Sequence, residues 1–201
     1  MSGTGTRAQA GEPRPMRADA QRNYTRLLEA ASGAFAEHGA DDVSLEEIAR
    51  RAGVGIGTLY RHFPTRQALL EAVYTDQVES LSARAAELLR SESPGDALAE
   101  WLRAMMKFSS TKRNMTTALL ATLGTDSELL SSCAKEIKGA AESLITRAQQ
   151  AGVVRADADA KDVIRLVHAV NIATEKTPEP GQADRMLALI LDGLRPHPGA
   201  S

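Results

Sequence analysis

Three glycines stand at alternate positions, Gly53, Gly55 and Gly57, inside the run SLEEIARRAGVGIGTLYRHFPTRQALL that spans residues 44–70. Glycine is a poor helix former, so three this close together exclude one continuous helix and demand a turn. The flanking residues say which turn. Ser44 and Glu47 form an S-x-x-E capping box, a pattern that satisfies two free amides at a helix start, with Ile48, Ala49 and Ala52 along one side. That helix is expected to run to about Arg51 and to close at Gly53 in the left-handed conformation, with Val54 plugging the angle and Gly55 capping a second helix beyond the turn. The helix after Gly55 lasts only from Ile56 to His62, because Pro64 disfavours helical geometry at the residue before it. Helix, short turn, helix is the arrangement the segment imposes.

The remainder of the chain also reads as helix. Tyr24, Leu27, Leu28, Ala31 and Phe35 recur at three and four residues, and Gly39 stands where a C-cap glycine would. Residues 1–18 mix Gly, Ser, Thr, Pro and Arg without periodicity and are expected to be a disordered basic arm. Such an arm either reaches a phosphate or a minor groove, or is a solvated tail. Thr65 caps a fourth helix whose stripe of Leu69, Leu70, Val73, Val78, Leu81, Ala85 and Leu88 exceeds what three small helices can cover, so it must bridge into a second body. There, Leu98 to Phe108 marks one helix, Met115 to Leu123 a shorter one, and Leu130 to Ala148 a long one ended by Gly152. All eight prolines fall at expected boundaries, and nothing alternates as a strand. The expected fold is all-α: an N-terminal three-helix helix-turn-helix domain over 19–65, joined by a long helix to a C-terminal helical bundle over 66–196.

The last two helices, about 159–175 and 182–195, are apolar on more than one face, through Val163, Ile164, Leu166, Val167, Val170 and Ile172, then Met186, Leu187, Leu189, Ile190, Leu191 and Leu194. A helix apolar most of the way round needs cover on two sides. A second copy of the chain supplies that cover most economically, and a symmetric homodimer is expected; the alternative is that both helices are central in a monomer.

Composition excludes several classes. Aromatics make up 3% of the 201 residues, so the core rests on the aliphatic residues that helices favour. The single Cys133 can form neither an internal disulfide nor a zinc site, and no apolar run approaches the roughly 20 residues of a membrane span, so a cytoplasmic protein is expected. The four histidines are scattered, no H-E-x-x-H or G-x-S-x-G occurs, and the Gly53–Gly57 run has neither the preceding strand nor the following lysine of a phosphate-binding loop. No enzyme, metal or cofactor is expected. The formal net charge of −2 argues against a uniformly basic nucleic-acid binder, but what matters is whether cations collect on one face.

On the third helix Leu59 and Phe63 belong inside, which leaves Ile56, Thr58, Tyr60, Arg61 and His62 outside, a patch of donors for phosphate oxygens and base edges. The run GVGIGTLYRHFPTRQALL resembles the DNA-binding signature G-V-S-x-G-T-L-Y-x-H-F-x-S-K-x-x-L of the tetracycline-repressor (TetR) family, over about residues 20–75. The resemblance implies that Thr58, Tyr60 and His62 hold phosphates or bases and that Arg66 replaces the usual lysine as a phosphate contact. Gly55 stands where Ser or Ala is common and Ile56 where a polar or basic residue is, so Ile56 is expected to meet a thymine methyl, and Arg61 a guanine. The expected DNA-facing set is Ser44, Ile56, Gly57, Thr58, Tyr60, Arg61, His62 and Arg66.

The resemblance further implies a homodimer on a palindromic double-stranded operator, released when an unknown small-molecule effector enters the C-terminal bundle and moves the fourth helix. Trp101, Met105, Phe108, His168 and Asn171 are the expected pocket lining, although His168 and Asn171 could equally bond across the dimer. Repression is expected; an activator of the same fold, and a helical module that does not read DNA, are the alternatives.

Overall fold

The computed structural model describes residues 14–40, 42–124, 126–175 and 179–196. Among these the chain is entirely helical, in the order α1 (Arg14–His38), α2 (Leu45–Ala52), α3 (Ile56–His62), α4 (Arg66–Leu88), α5 (Pro94–Leu123), α6 (Glu128–Gln150), α7 (Ala160–Glu175) and α8 (Gln182–Gly193). No helix of the described residues is long and apolar enough to cross a membrane.

Local chemistry sets the boundaries around the turn. Ser44 Oγ accepts from the Glu47 amide at 3.1 Å and starts α2. The reciprocal half of the expected capping box is not made, because the Glu47 carboxylate accepts from Arg50 and Arg51 instead. Gly53, at φ 65°, closes α2, and an added Cβ there would also press on the Arg26 guanidinium at 3.3 Å. Thr65 Oγ1 accepts from the Ala68 amide at 3.0 Å and starts α4. At the other end of α4 the Arg147 guanidinium, from α6, donates to the carbonyl of Leu88, which also accepts from the Ser91 amide, and to that of Ser91 just beyond the helix.

Two helix boundaries also depart from expectation. The helix α1 begins at Arg14, inside the expected arm, since Pro15 in a first turn forfeits no helical hydrogen bond; residues 1–13 of that arm lie outside the described residues. The two helices expected over Leu98–Phe108 and Met115–Leu123 are one helix of 30 residues, α5. The polar run between them interrupts the apolar stripe, but no glycine or proline lies between Gly95 and Gly124 to break the backbone.

One core runs through the molecule. Leu27, Phe35, Ile48, Leu59, Phe63 and Leu69 close the first three helices onto the start of α4. Further along, Val78 and Leu81 of α4 meet Trp101, Met105 and Leu119 of α5, with Ile137, Leu144, Val167 and Leu187 completing the bundle. Since α4 contributes to both ends of this core, a displacement of one end is felt at the other. On the outside of the last two helices Leu166, Ile172 and Leu189 remain 49%, 58% and 72% exposed.

Candidate nucleic-acid interface

The short helix α3 is held from below. Leu59 and Phe63, four residues apart, are buried, and the Phe63 ring packs 5.2 Å from that of Tyr24 on α1. With that face fixed, Ile56 and Tyr60 project outward at 38% and 45% exposure, and Arg61 is exposed beside them with its Nε donating to Gly57 O at 3.3 Å. Thr58 is half-buried. His62 is less outward than expected, because its ring stands edge-on to Tyr24 at 5.9 Å.

Neither Gly55 nor Gly57 has a positive φ, and a Cβ built on either would meet nothing within 4 Å. The protein's own packing therefore requires neither glycine. What they provide is a bare backbone on the leading edge of α3, where a partner can come close.

Arg66 is where the site departs most from expectation. Its guanidinium turns inward, donating to the carbonyls of Val43 at 2.5 Å and Ala40, and lies 5.9 Å over the Phe35 ring. The group expected to face a phosphate instead fastens the α1–α2 loop to the start of α4. The reason is geometric: two carbonyls and an aromatic face fit a planar fork of donors better than solvent does. Ser44 has a local task as well, the α2 cap, which uses its oxygen as acceptor and leaves the hydroxyl proton for another partner.

A second feature escaped the sequence. Arg51 joins α2 to α1, donating to Glu37 at 2.7 Å and to Glu47 at 2.8 Å. Hydrogen bonds from Arg51 are the leading cause that holds both carboxyls below their ordinary values. The i, i+4 spacing of Glu47 and Arg51 is a signal for half of this network; Glu37, fourteen residues away, carries none.

Of the expected effector residues, all but His168 are buried. Trp101 and Met105 are fully buried, with Trp101 Nε1 donating to Leu81 O at 3.0 Å. Asn171 is buried and donates to Met106 O at 3.2 Å, while His168 is half-buried. Phe108 alone of the five borders the cleft between α1, α4 and α5. Among the described residues no three His, Cys, Asp or Glu side chains cluster as metal ligands would.

A buried two-helix turn presenting one exposed short helix, on a bundle reached through a bridging helix, defines a helix-turn-helix regulator. Comparison with known proteins agrees. Residues 27–73 match the model of bacterial regulatory proteins of the tetR family, and residues 93–196 match the model described as "Transcriptional regulator SbtR-like, C-terminal domain". The chain is similar to the crystal structure of a TetR transcriptional regulator from Streptomyces coelicolor, with 36% identity, TM-score 0.78, and coverage of 87% of this chain and 99% of that one. A TetR transcription regulatory protein from Mycobacterium vanbaalenii gives 38% identity and TM-score 0.73, over 90% of this chain and 100% of that one. An HTH-type transcriptional regulator of Staphylococcus aureus is 44% identical over 54 residues, 27% of this chain and 29% of that protein, so the chain spans under a third of the curated relatives it matches. The chain belongs to the TetR family of transcriptional regulators.

Proposed function

We propose that the chain is a ligand-responsive repressor that binds a palindromic operator as a homodimer, reading DNA with residues 19–65 and holding its effector and its partner with residues 66–196. The observation that carries the DNA-reading half is the outward face of α3, with Ile56, Tyr60 and Arg61 exposed over the bare backbone of Gly55 and Gly57. A short helix whose leading edge lacks side chains can enter a major groove with its backbone close to the phosphates. In that position the hydroxyls of Tyr60, Thr58 and Ser44 donate to phosphate oxygens, Arg61 reaches a guanine edge and Ile56 meets a thymine methyl. His62 holds α3 against Tyr24 while its edge borders the same surface. Arg66 acts through the loop it fastens and touches no phosphate.

The homodimer rests on the exposed Leu166, Ile172 and Leu189, and two α3 helices related by its axis would read two half-sites. An effector lowers operator affinity only to the extent that it binds the DNA-incompetent arrangement better.

The test is fluorescence anisotropy on DNA from upstream of the chain's own gene, against scrambled competitor, at several salt concentrations. Competitor-resistant binding that weakens steeply with salt is expected. Binding no better than to scrambled DNA, both there and in a genome-wide selection of bound fragments, would leave a helical module that does not read DNA.

A further inference from the structure

His62 ends α3, directly after the exposed Arg61 and two positions beyond the exposed Tyr60. Its ring is half-buried, edge-on to Tyr24 at 5.9 Å and tilted against Phe63 at 6.2 Å. Among the described residues its two ring nitrogens have neither a hydrogen-bond nor an ion-pair partner. The other described histidines are engaged elsewhere: His38 lies 3.4 Å from Glu37 and 3.2 Å from Arg51, and His168 has interactions of its own on α7. His62 is therefore the one described histidine held on the face that carries Tyr60 and Arg61, and it is held there with its polar atoms idle.

A phosphate is the group that such a face meets on DNA. It accepts from a ring N–H in either protonation state, but it favours the imidazolium, since a bond between two ions is about twice as strong as a neutral one. The last turn of a helix favours a cation as well. The groups around the ring leave that charge to be balanced from outside. Tyr24, from α1, is held above its ordinary value by burial, then by Asp76 and Glu79 of α4, so it stays a neutral phenol wherever an imidazole titrates. Arg61, on α3 itself, turns its Nε back to Gly57 O at 3.3 Å, and Arg66, at the start of α4, is turned to the carbonyls of Val43 and Ala40. On α2, Glu47 is taken up by Arg50 and Arg51. Among the described residues no carboxylate of α1, α2 or α4 pairs with His62.

We infer that operator binding takes up a proton from solvent at His62 of each copy, so that acidification tightens the complex. This rests on the DNA-reading function proposed above. Histidine is the side chain whose ordinary titration, at about pH 6.5, falls near neutrality. Because the phosphate favours the charged ring, proton and DNA each strengthen the binding of the other. Affinity therefore rises as pH falls through the value of the bound ring and levels off below that of the free one.

Fluorescence anisotropy of the full chain on the DNA it selects, at about pH 8 and about pH 5.5 over a series of salt concentrations, reads this directly. Both conditions lie above the acid range in which Glu37 and Glu47 lose their charge. Affinity roughly tenfold or more tighter at the lower pH is expected. The slope of log affinity against log salt should steepen there by roughly 1–2, because each new cation on a phosphate releases counterions. His62→Gln, which keeps a donor and cannot titrate, should lose the pH dependence, and His38→Gln should keep it. Equal affinity at the two pH values, an unchanged salt slope, or full pH dependence in a folded His62→Gln variant overturns the inference; the wild-type slopes decide it if that variant does not fold. Absence of competitor-resistant binding at either pH overturns the DNA-reading function itself, an outcome distinct from operator binding that ignores pH.

Discussion

Arg66 reaches back 23 and 26 residues to the carbonyls of Val43 and Ala40 and covers the Phe35 ring, whereas Tyr60, six positions earlier, touches little of its own chain and stands 45% exposed. The two side chains sit in one motif and should respond oppositely to truncation. Arg66→Ala leaves two loop carbonyls without their charged donor and is expected to lower unfolding free energy in urea by about 1–3 kcal/mol. Arg66→Lys should recover only part of it, because an ammonium lacks the planar fork that serves both carbonyls. Tyr60→Ala should change stability by less than about 0.5 kcal/mol, as exposed substitutions usually do, while operator binding falls. Unchanged operator affinity in a Tyr60→Ala protein of normal stability would remove Tyr60 from the interface. Tyr60 was legible as outward-facing because its exposure follows from helix period and from Leu59 and Phe63 beside it. Arg66 was not, because its partners lie on another element and no local spacing encodes them.

Helix ends follow the same division at the scale of elements. Ser44, Gly53 and Thr65 act within three or four residues of themselves, and the start and stop of α2 and the start of α4 were readable from them. Continuity was harder to read: a polar stretch lowers the apolar signal in the middle of α5 without supplying a breaker, so one helix looked like two. The angle between α1 and α2 is set by a network that spans both, with Arg51 between Glu37 and Glu47. Both carboxyls sit below the ordinary value of 4.5 in the folded chain, so the stability they contribute is present above that pH and is lost as pH falls through their folded values. The pairs are solvent-exposed and the contribution is accordingly small. Melting temperature recorded from pH 7 downward should fall more steeply below about pH 4.5 in the wild type than in Arg51→Met, the two curves converging in acid. Parallel curves would mean that α1 and α2 hold their angle by packing alone.

For the whole molecule the open question is what covers Leu166, Ile172 and Leu189. Single exposed leucines are ordinary, but Leu166 and Leu189 border one shallow groove between α7 and α8, so their exposure is shared and not scattered. A two-fold interface through these helices buries the groove on both copies with one set of contacts. Light scattering on the eluting protein should then give the mass of two 21.5 kDa chains, and Leu166→Asp with Leu189→Asp should give the mass of one, with the helical circular dichroism unchanged because neither side chain supports the core. The same variant ties the dimer to DNA reading. Separated copies hold one half-site each, so operator affinity should collapse and the slope of log affinity against log salt should fall to roughly half, since half the phosphates are neutralised per bound molecule. If the double variant stays dimeric, the interface lies elsewhere. A double variant that is monomeric yet keeps full operator affinity and slope would mean that one α3 suffices, and the palindromic operator would have to be given up.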